Sequence, residues 1–154
     1  SIPQNKYCHE IALKKYAIVL FVLVVACAFS ASAAMAADLE KYDFDGKFTM
    51  EMEKGLDFKK EIPQEGSSSF TDLKNNVSVM YVEKSEITPD SAKEIISSYE
   101  SKGYEVAGTD GDLTVLENDG LYLVPMCGDG IMVVSMAMDK DTALNPMKTI
   151  QFTK

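Results

Sequence analysis

From Tyr16 to Ala37 the chain (YAIVLFVLVVACAFSASAAMAA) carries no charge, and everything after it is acidic and polar-patterned. Lys14 and Lys15 stand just before this run, its strongly apolar part extends from Ala17 to about Phe29, and small residues then take over. A positive n-region, a short h-region and an A-x-A site are the parts of a secretory signal. Two sites fit, Ala31-Ser32-Ala33 and Ala34-Met35-Ala36; the second, cut between Ala36 and Ala37, is the expected one. Residues 1–37 are therefore read as an upstream extension plus signal peptide, and 38–154 as a single exported domain.

Two alternatives belong to the same stretch. With its Ala/Ser half included, the run reaches the roughly 20 residues that a spanning helix needs, so residues 16–37 also read as an uncleaved membrane anchor. Val24-Val25-Ala26-Cys27 has the pattern of a lipobox, which would lipidate Cys27, although the apolar Ala28 and Phe29 after it weaken that reading. Ser1 to Leu13 lack an initiating Met and read as an upstream extension or a mis-set start.

Removing residues 1–37 takes away Lys6, Lys14, Lys15 and Glu10, so the formal charge moves from -9 to -11, 12 Lys against 23 Asp and Glu. Nucleic acid is not an expected partner for such a surface, and a membrane is expected only through the N-terminal segment. Every basic residue is Lys; without Arg, bidentate recognition of carboxylate or phosphate is not available. Of Cys8, Cys27 and Cys127 only the last lies in the exported part, so no intrachain disulfide forms there. The single His, His9, is upstream as well, which excludes Ser-His-Asp and Cys-His nucleophiles and His-ligated zinc.

The pattern predicts an α+β fold: an antiparallel sheet of about six strands with one main helix on one face. Asp38 to Gly46 reads as a polar lead-in ending in the turn Asp43-Phe44-Asp45-Gly46. Lys47 to Glu53 alternates, with Phe48, Met50 and Met52 on one face, as a half-buried strand does. Asp57 to Ile62 is a second, weaker strand, and Gly66-Ser67-Ser68-Ser69 a flexible loop. Val77 to Glu83 is β-branched and aromatic, a strand.

Thr88 as N-cap, Pro89 in the first turn, the stripe Ala92, Ile95, Ile96 and Tyr99, and Gly103 beyond the end predict an amphipathic helix covering a sheet face. Tyr104 to Ala107, Leu113 to Glu117, Leu121 to Met126 and Ile131 to Met138 follow, separated by Asp-Gly turns, and the last three runs predict an antiparallel meander. Ile131 to Met138 is apolar on both faces, as a central strand is. Asn145 and Pro146 read as the cap of a short last helix, or Thr149 to Thr153 as an edge strand.

Three stretches, Phe48-Thr-Met-Glu-Met-Glu-Lys-Gly55, Ile87-Thr-Pro-Asp-Ser-Ala92 and Leu144-Asn-Pro-Met-Lys-Thr-Ile-Gln-Phe152, together resemble small exported proteins of unknown function from methanogenic archaea. More loosely, the order of elements is similar to the Mog1/PsbP-like α+β fold. The resemblance implies a fold and an exported location, and brings no catalytic residue with it.

Alternation places Met132, Met136 and Met138 on one strand face, with Met126 and Cys127 at the end of the preceding strand, a soft donor set that would suit Cu(I). The competing role for thioethers is core filling. In a meander alternate turns share an end, so Asp110, Asp112 and Asp129 are expected at one edge and Asp119, Asp139 and Asp141 at the other, a weak setting for Ca²⁺. The EF-hand spacing is not met. A carboxylate pair would serve acid-base hydrolysis without His. No phosphate-binding Gly motif occurs. Asn76-Val77-Ser78 is a glycosylation sequon overlapping a strand.

The expectation is thus a non-enzymatic exported or cell-surface domain, without cofactor, that binds a protein, a cell-wall component or a small ligand. The alternatives are a Cu(I)- or Ca-binding exported module and a carboxylate-dependent hydrolase. Intact-mass and N-terminal sequencing of protein made in an exporting host should show a chain starting at Ala37; a retained hydrophobic run, or a lipid on Cys27, selects one of the tethered forms instead.

Overall fold

The computed structural model describes residues 38–153. The signal run, Cys8, Cys27, His9 and the cleavage residues Ala36 and Ala37 lie outside the described residues. The fold is α+β and antiparallel. In chain order the elements are β1 (Leu39–Phe44), β2 (Phe48–Glu53), β3 (Lys59–Glu61), β4 (Ser67–Asp72), β5 (Val77–Glu83), a 3₁₀ turn (Pro89–Ser91), α1 (Ala92–Glu100), β6 (Glu105–Asp110), β7 (Leu113–Asn118), β8 (Leu121–Gly128), β9 (Ile131–Ala137), α2 (Lys140–Met147) and β10 (Gln151–Phe152).

A seven-stranded sheet runs β3-β4-β5-β9-β8-β7-β6, and a separate three-stranded sheet runs β1-β2-β10. The expectation of one sheet of about six strands is corrected by this division. β9 occupies the middle of the larger sheet, and all seven of its residues are buried. A strand in that position must have cover on both sides, which is why it is apolar without alternation.

One face packs Met132, Val134 and Met136 of β9 with Leu123 of β8 beneath Ile95 and Tyr99 of α1. The other packs Val133 and Ala137 with Val79 and Val124 against Phe44, Phe48 and Met50 of the small sheet and Ala143 and Met147 of α2. The larger sheet is therefore sandwiched between a helix and a second layer made of a sheet and a helix.

β2 holds that second layer. Phe48, Met50 and Met52 point inward, as their alternation required, and Phe48 stacks on Phe44 with ring centroids 5.0 Å apart. β1 lies on one side of β2 and β10 on the other. The residues expected to be a polar lead-in are thus β1, because Tyr42 and Phe44 supply two inward side chains that the charged residues between them obscured. The turn expected after it is present, with Asp45 at φ 56° and Gly46 at φ 71°, the left-handed region where Asp and Gly are tolerated.

Gly66 to Ser69, expected as a flexible loop, is corrected to the start of a strand: Ser67, Ser68 and Ser69 are buried in β4, paired with Val82, Tyr81 and Met80. Small hydroxyl side chains fit between large neighbours there, and the ladder satisfies their backbone. The second strand shrinks to Lys59–Glu61, a short edge. The helix starts as a 3₁₀ turn in which Thr88 N donates to Ser91 Oγ at 3.0 Å, and it ends before Gly103 at φ 101°. The edge strand forms as β10, and a last helix is present too, but Asn145 and Pro146 do not cap it: they lie in the final turn of α2, whose N-cap is Asp139, Oδ2 accepting from Thr142 N at 3.0 Å.

Pro125 sits inside β8, opposite Val134 of β9, where a missing N–H would normally cost a ladder bond. The pairing of β7 with β8 ends at Leu123, so the nitrogen of Pro125 faces the side where no strand remains to be bonded. Replacing Phe48, which is fully buried and in ring contact with Phe44 and Tyr81, by Ala should cost about 3–5 kcal/mol in urea unfolding, a large share of the roughly 5–15 kcal/mol that holds a domain together.

Candidate functional site

β2 links two polar regions at opposite ends of the molecule. At its start, the β1–β2 turn brings Asp45 over the larger sheet. Tyr81 Oη of β5 donates to Asp45 Oδ2 at 2.6 Å, and Lys60 Nζ of β3 pairs with the same oxygen at 2.7 Å. Ser68 bonds to the phenol, and Lys60 stands 5.8 Å from the Phe70 ring centre. Burial opposes the charge on Asp45, but the bonds from Lys60 and Tyr81 outweigh it and hold the carboxyl below its ordinary value. Burial and the bond to Asp45 push the Tyr81 phenol up. Asp45 Oδ2 is thus held by a charged and a neutral donor at once, which suits a clamp between sheets better than a proton carrier.

At the far end of β2 the balance differs. Glu53 is raised above the ordinary Glu value, first by burial and then by the charge of Asp139. Asp139 is the N-cap of α2, its Oδ2 accepting from Thr142 N and Oγ1, both at 3.0 Å. Asp141 lies in the first turn of α2, where a negative charge favours the helix N-terminus. The β7–β8 turn adjoins this junction: a Cβ built on Gly120 would stand 3.8 Å from Met138 Cε, which places Asp119 at the same end. Asp119 at φ 51° and Gly120 at φ 82° are the two left-handed positions of a tight hairpin. Asp119, Asp139 and Asp141 are therefore at one end, as the meander required, joined by Glu53, which no local pattern in the sequence singles out.

The opposite group, Asp110, Asp112 and Asp129, lies at the other end on exposed turns, and Asp110 is ion-paired with Lys148 at 3.2 Å. Among the described residues no three His, Cys, Asp or Glu side chains form a group able to hold a metal ion. Asp72 is buried, and despite the burial its carboxyl is held low by bonds from Asp57 N at 2.9 Å and from Asn75 N and Nδ2 at 3.1 and 2.7 Å, which is a turn-closing role.

The sulfur side chains divide between the two faces of the sheet. Cys127, Met132, Met136 and Met138 belong to the α1 face, Cys127 directly opposite Met132, whereas Met126 packs on the small-sheet face. Met132 and Met136 have no solvent exposure, and Cys127 has 8%. Burial pushes the Cys127 thiol up to about 11, which disfavours the thiolate that binds soft metals. Asn76 of the sequon is 3% exposed and its amide nitrogen is enclosed, so a glycan on it is incompatible with this packing.

Among the described residues no helix is long and apolar enough to cross a membrane. No protein-family model matches the chain, and no curated protein matches it.

Because the carboxyl of Asp45 is held low in the folded state, its contribution is complete above the ordinary aspartate value and is lost as pH falls through the folded one. Tyr81→Phe should therefore cost about 1.5 kcal/mol at neutral pH, the low end for a bond to a charged group. Asp45 keeps 25% of its side-chain exposure. The difference from wild type should shrink below about pH 4 in a series of urea titrations.

Proposed function

We propose that residues 38–153 are a non-enzymatic, exported or cell-surface binding domain whose contact surface is the acidic end formed by Glu53, Asp119, Asp139 and Asp141. The observation that supports this reading is the asymmetry between the two ends of β2. The ion pairs Lys47–Glu83, Lys60–Asp45 and Lys148–Asp110, at 3.2, 2.7 and 3.2 Å, all lie at the end of the β1–β2 turn. At the other end Glu53 is shifted upward, first by burial and then by the charge of Asp139, and none of these three ion pairs involves its carboxyl. Such an end attracts a partner that presents amines: a lysine-rich protein surface, an amino-bearing cell-wall component or a small polycation. Export of the domain follows the hydrophobic run and its A-x-A site.

A second reading has one observation in its favour. A carboxylic acid raised by burial beside a second carboxyl group is also the pairing of an acid-base hydrolase. Asp139 is committed to its helix cap, which favours the binding role.

The exported domain should bind cell envelopes of its native host in a manner that weakens with rising salt. The variant E53Q/D119N/D139N/D141N keeps an amide cap at position 139 and should bind about tenfold more weakly or less. Equal binding by that variant would sink the acidic-end reading. Release of soluble fragments from wall polymer by the wild type and not by E53Q would replace binding with hydrolysis.

A further inference from the structure

Four strands end the two sheets, and three of them are blunted. β3 is three residues long and carries Lys59 and Lys60, and β10 is two residues long. β6 has a bulge between Val106 and Gly108, where Lys140 Nζ occupies the carbonyl oxygen of Ala107 at 3.2 Å. Short length, lysine and bulges are the devices that keep an edge from pairing. β1 is six residues long, in unbroken register with β2 from Leu39–Glu53 to Phe44–Phe48, and among the described residues no strand pairs with its other side.

The direction of its backbone groups follows from two bonds. Lys54 N donates to Asp38 O, and Lys47 N to Phe44 O, each at 2.9 Å, so the even-numbered residues of this strand face β2. By the alternation of an antiparallel ladder, Leu39, Lys41 and Asp43 turn their N–H and C=O groups outward. Their side chains lie on the solvent face, since Tyr42 and Phe44 enter the core, and Leu39 is 55% exposed.

We propose that β1 is a self-association edge, which pairs antiparallel with β1 of a second copy of this chain and joins the two small sheets into one. Outward groups must meet outward groups, which allows a twofold axis at Lys41 or at Tyr42 and forbids one between them. An axis at Lys41 sets Lys41 against Lys41 of the second copy. An axis at Tyr42 sets Lys41 against Asp43 of the second copy, twice, with about four backbone bonds between them. Opposite charges facing across strands stabilise a pair and like charges oppose it, so the register with Tyr42 on the axis is the one taken. The patch is small, and the association is accordingly weak and concentration-dependent.

Sedimentation of the exported domain up to about 1 mM should show a monomer–dimer equilibrium. K41D places two like-charged pairs in this register, and so does D43K; each variant alone should dimerise at least about tenfold more weakly. Mixed together they should form a heterodimer. The carboxylate introduced by K41D then meets the ammonium introduced by D43K, while the unchanged Asp43 of the first chain meets the unchanged Lys41 of the second. A role in folding alone does not produce that recovery. Asp43 Oδ1 also accepts from Gly46 N at 3.2 Å, so if D43K unfolds, K41P serves instead: it removes an outward N–H, leaves the β2 ladder intact, and should abolish the dimer. A wild type that stays monomeric, a mixture that does not associate, or a K41P variant that dimerises as wild type overturns the proposal.

Discussion

The structure depends on covering both faces of β9. Its side chains alternate between two cores, and neither face tolerates water: Met132, Val134 and Met136 go under α1, and Ile131, Val133 and Ala137 under the small sheet. Each large side chain among them contributes roughly 1.5–3 kcal/mol only while its cover is in place. The second layer is assembled from the two ends of the described chain, β1–β2 and α2–β10, which meet at β2. Thr153 N donates to Lys47 O at 2.9 Å, and Glu51 N to Thr149 Oγ1 at 2.8 Å, so closure of the last residues onto β2 completes the cover.

That arrangement also decides where polar chemistry is possible. Side chains entering the two cores lose water, and their titratable groups become inert: burial holds Tyr99 well above the usual phenol range and raises Cys127 to about 11. The hydroxyl of Ser135, in the middle of β9, has no hydrogen-bond partner among the described residues, a cost of about 1–3 kcal/mol that the packing around it absorbs. Polar groups able to act are confined to the ends of the strands. At one end Asp45, Glu83 and Asp110 are each paired with a lysine; at the other Glu53 feels the charge of Asp139.

Much of the frame was legible from local patterns. Period-two alternation marked β2, doubled apolar character marked β9, and capping residues with an i, i+3, i+4, i+7 stripe marked α1, because each follows from which side of an element must be dry. The same patterns misled where a residue's burial came from its neighbours. Ser67, Ser68 and Ser69 carry loop chemistry, yet they are strand residues because β5 lies beside them. β1 hid Tyr42 and Phe44 among Glu40, Lys41 and Asp43, since an edge strand buries only part of one face. Of the candidate site residues, Asp119, Asp139 and Asp141 were placed together by meander topology alone, whereas Glu53 comes from a strand some sixty residues earlier than Asp119 and only the packing of β2 brings it there.

What the sequence determined by itself is therefore composition and local order: an acidic domain without Arg or His after an uncharged run, a helix, a meander and a central apolar strand. Tertiary structure alone decided that the strands separate into two sheets, that the sulfur side chains divide between two cores, and that Glu53 comes under the charge of Asp139 while Asp45 is paired with Lys60. Those outcomes depend on contacts between residues distant in the chain, and a periodic pattern records which face of an element is buried, not what buries it.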